Sequence, residues 1–166
     1  MRDPKQEGRP RSRMAELLRK HRDEQARMFF HEAGHAVVYH ALKAEVARIV
    51  TKPQPLTLVR RPAVNDSCDL VAVVAGYLAE RRVFPQERSL ALAGAVEDLA
   101  LIAEIVKECP SVESQLKILM LRAGRILRAN WSVVQQLAGV LSKTKRRLEG
   151  APLQEILAGV SWQPRR

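Results

Sequence analysis

The spacing of hydrophobic and polar positions along the chain predicts a mainly helical protein with a small β-sheet. In several segments apolar residues recur every three or four positions, which is the period of one face of an α-helix. N-cap residue types, acidic first turns and prolines set the expected ends of these helices. The pattern becomes helical from about Ser12, and the helices predicted in this way cover residues 23–44, 67–84, 89–110, 112–129, 131–148 and 152–160.

Two short segments, 47–52 and 56–61, are rich in β-branched and apolar residues and are typical of β-strands. Pro53 and Pro55 lie beside them. Because proline donates no backbone hydrogen bond, we expect these strands at the edge of a sheet or leading into a loop. An edge strand can bind an extended peptide by β-addition, but a small sheet can equally serve only to cover the core.

The length of 166 residues and the hydrophobic content of 46% suit one domain with a buried core. Residues 1–22 are predicted to form a basic, flexible arm, residues 23–160 the single domain, and residues 161–166 a basic tail. The sequence has neither an apolar run long enough to span a bilayer nor a secretory signal, so we expect a cytoplasmic protein without a transmembrane segment. Its two isolated cysteines are expected to be reduced thiols.

The net charge of +10 is concentrated towards the ends of the chain. Residues 111–166 carry ten Lys and Arg against three Asp and Glu, whereas residues 28–110 are nearly neutral. Basic ends are compatible with nucleic acid, an anionic membrane surface or acidic partners. Aromatic residues are few and no nucleic-acid-binding motif is present, so a solvated basic surface is favoured and nucleic acid is not the expected partner.

The strongest chemical signal is the stretch FFHEAGHAVV, in which His31, Glu32 and His35 form an H-E-x-x-H pattern on a predicted helix. Residues four apart on a helix lie one above the other, so His31 and His35 can offer two imidazole nitrogens to one Zn²⁺ ion. Glu32 lies close enough to take a proton from a metal-activated water, which makes it the candidate general base. The alternative is an amphipathic helix whose two histidines share a face by chance. Gly34 costs this helix about 1 kcal/mol relative to alanine, so we expect another element to approach it closely.

A catalytic zinc site needs a third protein ligand, which a later carboxylate or histidine must supply. Spacing along the chain does not choose among the acidic candidates. Glu80 and Asp98 stand out because each lies within an apolar helical segment, where an unpaired charge is costly. The acidic candidates are Asp66, Asp69, Glu80, Glu97, Asp98 and Glu104.

The stretch FFHEAGHAVV resembles the signature of the peptidase domain of FtsH, the membrane-anchored, ATP-dependent zinc protease. Residues 75–81, AGYLAER, are similar to the Gly-Gly-Arg-Ala-Ala-Glu-Glu-like helix of that family. Residues 93–99, AGAVEDL, are similar to the family segment that supplies an aspartate ligand. The resemblance covers about residues 23–158 and implies a zincin-like helix followed by a carboxy-terminal helical bundle.

For the site, the resemblance implies that Asp98 joins His31 and His35 as the third zinc ligand. It also implies that Glu80 is an outer partner, which orients a ligating histidine or the bound water. The activity that follows is that of a zinc metalloendopeptidase acting on unfolded or flexible proteins, with Glu32 as the general base.

The family's ATPase module and membrane anchor have no counterpart in these residues. Folded substrates would therefore need a separate ATPase partner, and the family's hexamers suggest a homo-oligomer. Two other interpretations stay open, a catalytically weak zinc-binding regulatory or interaction module and a basic nucleic-acid-binding protein. Peptidase activity together with stoichiometric zinc would distinguish the metalloendopeptidase from both of these alternatives.

Overall fold

The computed structural model describes residues 13–52, 55–61, 66–85, 96–107, 111–144 and 147–162. It is mainly helical with one three-stranded antiparallel sheet, which confirms the predicted fold class at that level. None of the helices in these ranges combines the length and the apolar character needed to cross a membrane. In chain order the elements are α1 (Arg13–Ala41), β1 (Glu45–Val50), β2 (Leu56–Arg61), α2 (Asp66–Val83), α3 (Val96–Val106), α4 (Val112–Ala129), α5 (Trp131–Leu141), β3 (Arg147–Glu149) and α6 (Ala151–Leu157).

Helices α1 and α2 pack closely against each other at the centre of the core. The apolar run of α2 is buried as its composition predicts, with Val71 and Val74 at most 2% exposed. Gly34 lies at the contact, where a Cβ would come within 2.7 Å of the Ala79 Cβ and 2.8 Å of the Ala75 carbonyl oxygen. The close approach predicted from Gly34 is therefore confirmed, because any side chain there would push the two helices apart.

The remaining helices pack around this pair. Helix α4 packs on α2, α5 packs on α1, and α6 contacts both α5 and β3. At the junction of α4 and α5, the buried Asn130 donates from Nδ2 to the Ile126 carbonyl oxygen at 2.9 Å. Its Oδ1 accepts a hydrogen bond from the Ser161 backbone N–H at 2.8 Å, which ties the carboxy-terminal segment to the helical core.

The sheet has the strand order β2-β1-β3, so β1 is its central strand and β2 is an edge strand of the described sheet. Ile49 of β1 is fully buried and lies opposite Thr57 of β2 on one side and Leu148 of β3 on the other. The expectation of an edge position is therefore confirmed for β2 and wrong for β1. The prolines that suggested it follow β1 rather than interrupt its hydrogen bonding.

Strand β3 lies where the sequence predicted the end of a helix over residues 131–148. Helix α5 ends at Leu141, where Ser142 Oγ donates to the Gly139 carbonyl oxygen at 2.8 Å and Thr144 Oγ1 donates to the Val140 carbonyl oxygen at 2.9 Å. These bonds satisfy carbonyls that a continuing helix would use. The chain is then free to pair with β1, which buries Leu148.

Helix α1 begins at Arg13, which confirms the helical pattern predicted from about Ser12; it does not begin at Asp23, so the predicted boundary at residue 22 falls inside the helix. No proline or glycine interrupts residues 13–23, and an acidic residue is tolerated within a helix as well as at its start. Residues 1–12 of the predicted arm and 163–166 of the predicted tail lie outside the described residues. So do residues 89–95 and 108–110 of the predicted helix 89–110, whose described part is α3.

Candidate metal centre

Helix α1 carries His31 and His35 one turn apart, with ring centroids separated by 4.6 Å, and both residues are buried. Asp98 of α3 reaches towards both rings. Its Oδ2 lies 3.2 Å from His31 Nε2 and 3.3 Å from His35 Nε2. One potential ligand atom from each of the three residues lies within 4.8 Å of the other two. The structure thus brings together the three residues predicted as ligands, in a group that can hold a metal ion.

The second ring nitrogen of each histidine has a partner outside this group. His35 Nδ1 donates to the Ala72 carbonyl oxygen at 2.8 Å, and His31 Nδ1 lies 3.4 Å from Glu80 Oε2. A carbonyl oxygen only accepts, so the proton of a neutral His35 is on Nδ1 and the lone pair is on Nε2. In metal-binding histidines, such outer partners select the nitrogen that faces the ion.

Glu80 is 4% exposed and its carboxylate lies between two groups that can carry positive charge. Arg27 Nε lies 3.7 Å from Oε1, while His31 Nδ1 faces Oε2. A buried carboxylate is stable only when it is paired in this way. Glu80 therefore occupies the position expected of an outer partner that orients a ligating histidine.

The electrostatic field of the site favours a cation. Burial lowers the pKa of His31, but hydrogen bonds with Asp98 and Glu80 and the charge of Glu32 outweigh burial and raise the pKa to about 9. Burial raises the pKa of Asp98, but hydrogen bonds from the protonated forms of His31 and His35 hold it well below its usual value. In the absence of a metal, a proton on His31 balances the surrounding carboxylates, and a metal ion would displace that proton.

Gly76 of α2 lies against the nitrogen atoms that face Asp98. A Cβ at this position would come within 2.7 Å of His31 Nε2 and would also collide with His35 Nε2. The missing side chain therefore makes room for both imidazoles. Gly76 was not predicted as part of the site, although a glycine inside an apolar helix is the signal that identified Gly34.

Glu32 is buried and receives a hydrogen bond from the edge strand β2. Thr57 Oγ1 lies 2.7 Å from Glu32 Oε2 and 3.2 Å from the Glu32 backbone carbonyl oxygen. Thr57 was not predicted from the sequence, because strand alternation indicates which residues share a face but not which helix that face covers.

The other acidic candidates do not join the group. Glu104 of α3 is exposed and pairs with Lys107, and Asp69 of α2 is not one of the clustered residues. The side chains of Asp66 and Glu97 are outside those described. Within the described part of the chain, His31, His35 and Asp98 form the one group of this kind.

Comparisons with known proteins do not assign the chain to a family. No family model and no curated protein matches it. The resemblance to the FtsH peptidase domain therefore stays a prediction.

Proposed function

We propose that this protein is a zinc-dependent metalloendopeptidase. His31, His35 and Asp98 would hold the metal. The observation that carries the proposal is the meeting of two buried imidazole nitrogens and one carboxylate oxygen within 4.8 Å of one another. Two nitrogens and one oxygen are a donor set that catalytic zinc sites use, and three protein ligands leave a coordination position for water.

The surroundings of the three ligands fit a zinc ion. Because His35 Nδ1 donates to the Ala72 carbonyl oxygen, the lone pair of a neutral His35 faces the Asp98 carboxylate. Two acceptors at 3.3 Å repel each other unless a proton or a cation lies between them. When bound there, zinc would polarise the scissile carbonyl and lower the pKa of water.

Glu32 is the residue proposed to move protons. It follows His31 directly in α1, about 100° around the helix axis, so its carboxylate can act beside the ligands without being one of them. A carboxylate oxygen of Glu32 would accept the proton of the attacking water and later deliver it to the nitrogen of the leaving amine. The burial of Glu32 limits the exchange of that proton with bulk water.

An unfolded or flexible protein segment is the proposed substrate. Strand β2 is an edge strand of the described sheet, and its Thr57 hydrogen-bonds to Glu32. A peptide that added to β2 as a further strand would run past the candidate base. The same proposal includes a zincin-like character of α1 and a carboxy-terminal bundle formed by α4, α5 and α6. It also includes a separate ATPase partner and a homo-oligomer.

Metal analysis combined with digestion of unfolded casein tests the function. Wild type should contain about one zinc per chain and digest casein, whereas Glu32→Gln should keep the zinc and lose activity by about 10²–10⁴-fold. Equal digestion by the two proteins would contradict the catalytic role. Stoichiometric zinc without digestion by either protein would favour a zinc-binding regulatory module instead.

A further inference from the structure

Thr57 connects the edge strand to the candidate base by a short hydrogen bond. Its Oγ1 lies 2.7 Å from Glu32 Oε2, in the range of a charge-assisted bond from a hydroxyl to a carboxylate. The Glu32 backbone carbonyl oxygen is farther away, at 3.2 Å. Because a hydroxyl has one proton, the shorter distance indicates that Thr57 Oγ1 donates this proton to the Glu32 carboxylate and not to the backbone carbonyl oxygen.

The donor side chain has fewer rotamers than the acceptor side chain. Thr57 lies opposite the fully buried Ile49 in the register of β1 and β2, so its side chain is on the inner face of the sheet. A β-branched side chain has few χ1 rotamers, whereas a glutamate rotates about three bonds. The strand therefore fixes the hydroxyl, and the hydroxyl selects one orientation of the carboxylate.

From this geometry we infer that Thr57 is the positioning residue of the general base, an inference that rests on the proposed function. By occupying Oε2 of Glu32, the Thr57 hydroxyl directs the other carboxylate oxygen towards the attacking water. The hydrogen bonds described for Thr57 go to Glu32 and not to His31, His35 or Asp98. Its loss should therefore slow the chemical step and leave metal binding intact.

Thr57→Val and Thr57→Ser separate the hydroxyl from the shape of the side chain. Valine keeps the β-branch and removes the donor, while serine keeps the donor and removes one methyl group. With fluorescently labelled, unfolded casein, Thr57→Val should lower kcat by about 10–100-fold, with KM within about twofold of wild type and zinc unchanged. Thr57→Ser should restore most of kcat.

The matched control is Thr144→Val, which removes a hydroxyl bonded to the Val140 carbonyl oxygen at the end of α5 and should leave kcat unchanged.

A Thr57→Val protein with wild-type kcat would overturn the inference, and so would a Thr57→Ser protein as slow as Thr57→Val. If valine prevents folding, the comparison of Thr57→Ala with Thr57→Ser decides the question by the same criterion. Inactivity of the wild type, or equal activity of wild type and Glu32→Gln, would overturn the proposed function together with this inference. An active, Glu32-dependent wild type with an unaffected Thr57→Val would overturn the inference alone.

Discussion

Gly76 and His31 are in such close contact that a Cβ on Gly76 would lie 2.7 Å from His31 Nε2. Real Cβ atoms do not approach a nitrogen that closely, and the His35 ring blocks the same space. The candidate site thus depends on a residue that supplies no chemical group. Its contribution is the space into which two imidazoles project from the neighbouring helix.

Gly76→Ala should therefore displace the imidazoles and weaken zinc binding by at least about tenfold, since a shift of a ligand by a fraction of an ångström is felt at a metal. Chelator competition measures the affinity. Gly124→Ala is the matched control, because a Cβ at Gly124 meets nothing within 4 Å. That change should leave zinc affinity unaltered and stabilise α4 by about 0.5–1 kcal/mol. Unchanged zinc affinity in Gly76→Ala would contradict the proposed position of the ion.

His35→Ala should abolish stoichiometric zinc binding, because it leaves one imidazole and one carboxylate for an ion that needs three protein ligands. His40→Ala, on the same helix, is the control and should retain about one zinc per chain, since His40 is not among the clustered residues. Metal analysis of the purified proteins gives the answer. Full zinc content in His35→Ala would exclude the assigned ligand set.

Asp98→Asn should loosen zinc strongly, because a neutral amide oxygen is a weaker ligand than a carboxylate. Glu104→Gln tests the same chemical change on the same helix. Glu104 is exposed and pairs with Lys107, so its replacement should have little effect on zinc. If Glu104→Gln proves the damaging change, α3 presents a different face to the site from the one described.

Glu80→Gln should have an intermediate effect. Loss of the carboxylate that faces His31 Nδ1 removes an outer partner, which typically costs about 10–100-fold in metal affinity or activity. It also leaves Arg27 beside a neutral amide, so a modest loss of stability should accompany it. The same chelator competition, compared with Asp98→Asn, ranks the two residues. An affinity loss larger than that of Asp98→Asn would assign Glu80 a ligand role.

The zinc-free protein should lose stability as the pH rises towards alkaline values. The folded-state pKa of His31, about 9, is above its ordinary 6.5, so its contribution is complete below pH 6.5 and is lost as the pH rises through 9. The lowered pKa of Asp98 acts in the opposite direction, with a contribution that is lost only in acid. Chemical unfolding in the presence of chelator should therefore give a higher free energy of unfolding at pH 6 than at pH 9.5. In His31→Ala this alkaline decline should be reduced, and an equal decline in both proteins would assign it to other groups.

Local patterns were sufficient for the elements whose environment is simple. The apolar stripe of α4 has one buried side, so its period predicts residues 112–129, which are the bounds observed. The predicted end of α5 at residue 148 was wrong, because the apolar residues of the helix stop at Leu141 and the hydroxyls of Ser142 and Thr144 then bond to its last carbonyl oxygens. Strand β3 has three residues, too few to show a period of two, and its pairing with β1 comes from a strand distant in sequence.

The sequence by itself determined that His31, Glu32 and His35 lie together, because residues one turn apart on a helix are neighbours whatever surrounds the helix. The family resemblance pointed to Asp98, but spacing along the chain did not select it, and the tertiary structure decided what else meets these residues. Asp98 joins from α3, Thr57 from β2 and Gly76 from α2, and each contact depends on how separate elements pack. Helical and strand periods indicate which residues share a face, but the packing of the whole core determines which element that face contacts.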